Sequence, residues 1–99
     1  MHSVSPRQNR GRFEIMATIL ERAVEGTKKT QMMYGANLSF YQIRGYIRYL
    51  LETGFLSFEK ESGLYWITNK GREFLKSYEK IKLLMSPPQF PNPKPRMVR

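Results

Sequence analysis

Near the middle of the 99-residue sequence, Tyr41, Gln42, Arg44, Arg48 and Tyr49 fall within nine consecutive positions. Arginine and glutamine carry the paired hydrogen-bonding groups that match guanine and adenine edges in the DNA major groove. An outward tyrosine can pack on a sugar or a thymine methyl, or donate to a phosphate. Set on a helix at about 100° per residue, Ile43, Ile47, Leu50 and Leu51 share one face, flanked by Phe40 and Tyr46. Tyr41, Gln42, Gly45, Arg48, Tyr49 and Glu52 fall on the other. The plain alternative is an amphipathic helix with an ordinary mixed solvent face. Gly45 costs roughly 1 kcal/mol in mid-helix relative to alanine. At the centre of the outward face it would let a backbone approach closely; a tolerated packing glycine explains it equally well.

Two helices and a tight turn must position these groups. A short run over 27–34 opens at Thr27, a good N-cap, and ends at Gly35, where a left-handed residue is expected. Ala36, Asn37 and Leu38 connect it to a longer run over 39–53, capped by Ser39 and stopped by Gly54. A short helix, a turn of this length and a longer helix form the helix-turn-helix pattern, whose second helix enters the major groove.

Catalytic constellations are missing. The chain has no Cys and no Asp, and its one histidine is His2, so a nucleophile–His–carboxylate arrangement cannot be assembled. His2 has no second His or Cys with which to share a metal. The glycines are scattered, and no Gly-rich phosphate loop follows a strand. The expectation is a protein that is not an enzyme and has no cofactor or metal.

Seventeen Lys and Arg against eight Glu give a formal charge of +9, which points first to nucleic acid and second to an anionic membrane surface. Six of those nine charges lie in the two ends. Arg7, Arg10 and Arg12 fall in residues 1–12, and Lys94, Arg96 and Arg99 in residues 86–99, with no acid in either segment. Within the middle, Lys28 and Lys29 sit in the first turn of the short helix, where cations oppose the helix dipole. Phosphate contact is one use for them and plain solvation the other. Nothing approaches the roughly 18 apolar residues of a spanning helix, and residues 1–12 lack the apolar segment of a secretory signal. A soluble, cytoplasmic, nucleoid-associated protein without a membrane partner is expected.

The rest of the chain frames this pair. Residues 1–11 read as a flexible basic arm. Over 12–25, Phe13, Met16, Ala17, Leu20 and Val24 recur at helical spacing, with Ile19 and Ala23 beside them. Met32 and Met33 read as core fillers. Residues 55–60 and 64–68 are strand-like, with a turn at Glu61-Ser62-Gly63, and predict a β-hairpin. Its tip carries both signs of charge, so Lys60 is a weak phosphate contact by itself. Ile67 is expected toward the core. Trp66 then points to the other side, either onto a neighbouring element or into an interface. Thr68 caps a last helix over 68–85, whose seam is Phe74, Tyr78, Ile81 and Met85, with Leu75 and Leu84 at its edges. Past Tyr78 it either extends toward a second copy of the chain or folds back on the first helix. Five of six prolines lie in 86–99, which cannot continue the helix. That tail brushes DNA, docks a protein partner or simply ends the chain.

The residues Thr30, Met33-Tyr34, Ala36-Asn37-Leu38-Ser39, Tyr46, Leu50-Leu51 and Gly54-Phe55-Leu56, followed by Tyr65, Ile67-Thr68, Lys70-Gly71 and Phe74-Leu75, resemble the small archaeal winged-helix proteins. Some members of that group resemble transcriptional regulators; others are chromatin proteins that dimerise through a long C-terminal coiled coil. The resemblance covers about residues 12–80. It implies DNA binding, a recognition helix beginning near Ser39, and a dimer through the last helix. Here that helix must stop before Pro87, about half the length of the long arm, which leaves a monomer or a shorter interface open.

The sequence thus predicts an α+β, mostly α fold: a winged helix-turn-helix over 12–85, with three helices, a β-hairpin wing and a C-terminal helix. The expected function is double-stranded DNA binding of modest sequence selectivity in transcriptional regulation. Ser39, Tyr41, Gln42, Arg44, Arg48 and Tyr49 would lie in the groove, and Lys28, Lys29 and Lys60 on phosphates. Tyr78, Ile81, Leu84 and Met85 would form a homodimer interface. The alternative from another class is a protein-interaction winged helix in a larger nucleic-acid-processing or chromatin complex, and RNA binding would draw on the same charge.

Overall fold

The computed structural model describes residues 11–85. Helix α1 (Arg12–Arg22) runs into a 3-10 turn (Ala23–Glu25). Then come α2 (Lys29–Gly35), α3 (Phe40–Thr53), the strands β1 (Leu56–Glu59) and β2 (Leu64–Ile67), and α4 (Asn69–Met85). The strands form an antiparallel hairpin in which Leu56 faces Ile67 and Phe58 faces Tyr65. Ile19, Leu20, Met32, Ile43 and Leu50 are fully buried where the first three helices meet. Leu56 and Ile67 close that core from the hairpin, with Met33, Leu38, Tyr46 and Phe74 packed at its margin.

Several local expectations change. Thr27 does not cap α2. Its N–H donates to the Tyr65 carbonyl (3.0 Å) and its own carbonyl accepts from the Tyr65 N–H (2.8 Å). It is therefore buried as a one-residue third strand of the wing. Lys28 becomes the N-cap, and Gln31 Oε1 accepts from its N–H (2.9 Å). Gly35 stays helical, and Asn37 takes the left-handed conformation at φ 57. Asparagine tolerates that region better than other non-glycine residues.

On α1, Ile15 is buried, whereas Val24, expected on the same helix, lies within the 3-10 turn and is exposed. Phe13 is also exposed, although its ring meets Phe74 edge-on at 6.1 Å. Leu51, expected in the core, is 37% exposed at the edge of the apolar stripe of α3.

The wing joins α4 through a compact junction. Thr68 Oγ1 accepts from the Gly71 N–H (3.0 Å), as an N-cap should, and donates to the Gly54 carbonyl. The Phe55 carbonyl lies where a Cβ on Gly71 would stand, so only glycine fits there. Lys70 Nζ donates to the Thr53 carbonyl at the C-terminal end of α3 (2.8 Å). Phe74 packs on Phe55 and stacks on Tyr78. Trp66 packs across Gly26, at φ 81, where a Cβ would come within 2.8 Å of the indole. The indole N–H donates to Glu59 Oε1 (3.2 Å), so Trp66 serves intramolecular packing.

Candidate nucleic-acid interface

Ser39 fixes where α3 begins. The Gln42 N–H donates to Ser39 Oγ (3.1 Å), and the Ser39 N–H donates to Gln42 Oε1 (3.0 Å). This reciprocal cap satisfies two backbone donors at the helix start. It also occupies one lone pair of the Gln42 amide oxygen, so Gln42 can offer a base the other lone pair and the amide NH2.

Beyond the cap, Tyr41, Arg44, Gly45, Arg48 and Tyr49 all face solvent. Among the described residues the ion pair present is Lys82–Glu79, far along α4, so neither Arg44 nor Arg48 is held by a carboxylate. The two arginines form a ridge between two hollows. On one side, a hollow of about 390 Å³ is lined by Lys29, Ile47, Leu51, Glu52 and Tyr65 together with both arginines. On the other, a groove of about 780 Å³ lies between the start of α1 and the outward face of α3.

The predicted phosphate-binding lysines separate into three situations. Lys29 Nζ stands 4.7 Å from the centre of the Phe40 ring, with the Arg44 guanidinium 5.9 Å from the same ring. Phe40, not singled out as a site residue from sequence, thereby gathers a cation from α2 and one from α3 at the helix-turn-helix corner. Such contacts are worth about 0.5–1 kcal/mol at exposed sites. Its signal was present: an aromatic immediately after the N-cap, at the flank of the core face, with Arg44 four residues on. Lys28 turns the other way. Its Nζ donates to the Ser62 carbonyl at the wing tip (3.1 Å), tying the tip to the start of α2. Lys60 is exposed on the tip, while neighbouring Glu59 accepts from Ser62 Oγ (2.6 Å) as well as from the Trp66 indole.

The residues proposed for dimerisation lie at the far end of α4. Tyr78 is half-buried against Phe74, while Ile81, Leu84 and Met85 are exposed, Leu84 by 79%. They do not fold back on α1. Leu83, also exposed, extends the same apolar end. Arg7, Arg10, Lys94, Arg96, Arg99 and His2 lie outside the described residues. Within those residues, no group of three or more His, Cys, Asp or Glu is placed to hold a metal, and no helix is long and apolar enough to cross a membrane.

Three helices, a hairpin wing tied back by Thr27 and a capped α4 define a winged helix-turn-helix. The model of the winged helix-turn-helix family matches residues 9–86, and the chain belongs to that family. Two uncharacterized proteins of the archaeon Methanocaldococcus jannaschii are similar in sequence. One is 37% identical over 75 residues, which is 76% of this chain but only 33% of the relative, so the chain spans about a third of that protein. The other is 34% identical over 84 residues, covering 83% of this chain and 84% of the relative. Among solved structures, Sso10a-2, a DNA-binding protein from Sulfolobus solfataricus, superposes with a TM-score of 0.59 at 27% identity. The match covers 80% of this chain and all of that one.

Proposed function

We propose that this winged helix binds double-stranded DNA through the Arg44–Arg48 ridge of α3 and acts as a transcriptional regulator at the nucleoid. The observation that carries the reading is that ridge: two exposed arginines one helical turn apart, held by no carboxylate and joined by Lys29 over the Phe40 ring. A helix with its side chains is about 10–12 Å across, and the major groove is about 12 Å wide, so a ridge on an exposed helix fits it. Arginine forks supply base readout, and Lys29, Lys60 and the arginines of the ends supply phosphate neutralisation. The DNA-binding description of the Sso10a-2 neighbour supports the same reading.

One ridge carrying two arginines gives limited selectivity, which a second copy would raise. The exposed end of α4, with Ile81, Leu84 and Met85, supports a homodimer there. Leu84→Lys is expected to shift any self-association toward monomer in sedimentation equilibrium. No shift would place the interface elsewhere. A protein-interaction module loses one support, because Trp66 is packed within the chain.

The deciding experiment is duplex affinity over a salt series for the full chain and for Arg44→Ala/Arg48→Ala. Each phosphate contact contributes about 0.9 to the slope of log affinity against log salt. The double variant is expected to lose affinity and sequence preference while keeping its thermal stability. Unchanged affinity and preference would show that α3 is not the reading element.

A further inference from the structure

The ridge accounts for Arg44 and Arg48 but not for the groove beside it. That groove is concave, and its floor and walls are aromatic. Tyr41 is 83% exposed, Tyr49 51% and Phe13, on the opposite wall from α1, 63%. Tyr41, Gly45 and Tyr49 are four residues apart and form one stripe along α3. A side chain on Gly45 would meet nothing within 4 Å, so the middle of the stripe is open floor. The two tyrosines are about 12 Å apart along the helix, the length of a few bases stacked at about 3.4 Å each. Arg12, Arg44 and Arg48 also line the groove, and no acidic residue does.

These features point to an occupant that is both flat and anionic. An apolar peptide would leave three guanidinium groups without partners. An intact duplex hides the faces of its bases in its own stack, so three exposed rings find no base faces there. An unpaired strand presents base faces to aromatic side chains and phosphates to arginines, the two components of single-strand recognition. A concave surface also suits a strand that protrudes, as a ridge suits a groove.

We infer that the groove between α1 and α3 is a cradle for an unpaired strand of DNA. Its bases stack on Tyr41, Tyr49 and Phe13, and Arg12, the lining arginine outside the ridge, holds its phosphates. The assignment of DNA rests on the reading of the neighbouring ridge as a DNA contact. The domain would then prefer places where duplex and unpaired strand adjoin.

The test measures fluorescence anisotropy of the full chain with labelled oligo-dT, a duplex of matched length, and oligo-rU at one salt concentration. Tyr41→Ala/Tyr49→Ala is compared with Gly45→Leu, which fills the floor, keeps both rings and adds a better helix former. Both variants are expected to lower the ratio of oligo-dT to duplex affinity: Tyr41→Ala/Tyr49→Ala by about tenfold for each stacking tyrosine removed, and Gly45→Leu by blocking the floor between rings that stay in place. Circular dichroism confirms folding, and Gly45→Leu carries the test if the double variant unfolds. Duplex binding by the unaltered chain with no binding of oligo-dT overturns the inference and leaves the duplex reading standing. An unchanged ratio in the folded variants also overturns it. Tighter binding of oligo-rU than of oligo-dT overturns the DNA assignment. Tyrosine-dependent binding of oligo-dT without duplex binding supports the cradle and removes the duplex reading alone.

Discussion

On its inner side α3 presents Ile43, Ile47 and Leu50 to a core that leaves them almost no exposed surface. On its outer side the same helix presents Tyr41, Arg44, Arg48 and Tyr49 to solvent around a glycine with open space above it. The inner face is defined by what touches it, so its residues answer for stability. The outer face is defined by what does not touch it: unpaired cations and uncovered rings within a fold that does not need them. One helix thus separates the two demands by about half a turn, and substitutions on each side should register in different measurements.

The largest effect belongs to the inner face. Leu50→Ala is expected to cost about 2–5 kcal/mol in chemical denaturation, because it removes a fully buried side chain and leaves a cavity. A cost below about 1 kcal/mol would mean that the core is looser than its burial implies. Gly71→Ala extends the inner rule to the junction of wing and α4. The Phe55 carbonyl must move to admit the new methyl, at about 1–3 kcal/mol, seen as a lower melting temperature; an unchanged melt would show that the junction yields freely. Crossing to the outer face, Arg48→Ala should leave the melt alone and lose about 1–3 kcal/mol of duplex affinity at its favoured base. A drop in melting temperature instead would blur the division between faces. The smallest effect is opposite in sign. Gly45→Ala should stabilise the fold by up to about 1 kcal/mol, since alanine favours the helix and meets no obstacle. Destabilisation there would show that the outer face is under constraints of its own.

The sequence makes some elements legible and others not, for physical reasons. The limits of α3 could be read because Ser39 and Gly54 act locally, through a side-chain cap and a left-handed stop at φ 86. The hairpin and α4 were legible for similar reasons, from turn residues and the Thr68 cap. Thr27 misled because a good capping residue also suits a strand, and only the partner, Tyr65, decided between them. Gly71 carries a sequence signal without its cause, since the carbonyl that requires it comes from residue 55. On the candidate site, the helical wheel placed Arg48, Tyr41 and Tyr49 outward. It did not show that Gln42 closes the cap of its own helix, nor that Phe13 of α1 would stand across a groove from Tyr41. The first was open to reading in the local Ser39-x-x-Gln42 spacing, which a wheel does not register; the second depends on tertiary packing that no periodicity encodes.

Trp66 is the single tryptophan of the chain, and it bridges the wing and the turn after α1 while its indole N–H is held by Glu59. Its emission is therefore an intrinsic optical gauge of whether the wing is seated, free of any attached dye. The proposed DNA contacts involve arginines, lysines, tyrosines and a phenylalanine, so altering them leaves this chromophore in place. A red shift on unfolding would follow the wing separately from the helical signal in circular dichroism, and any lag between the two would time the hairpin against the three-helix core.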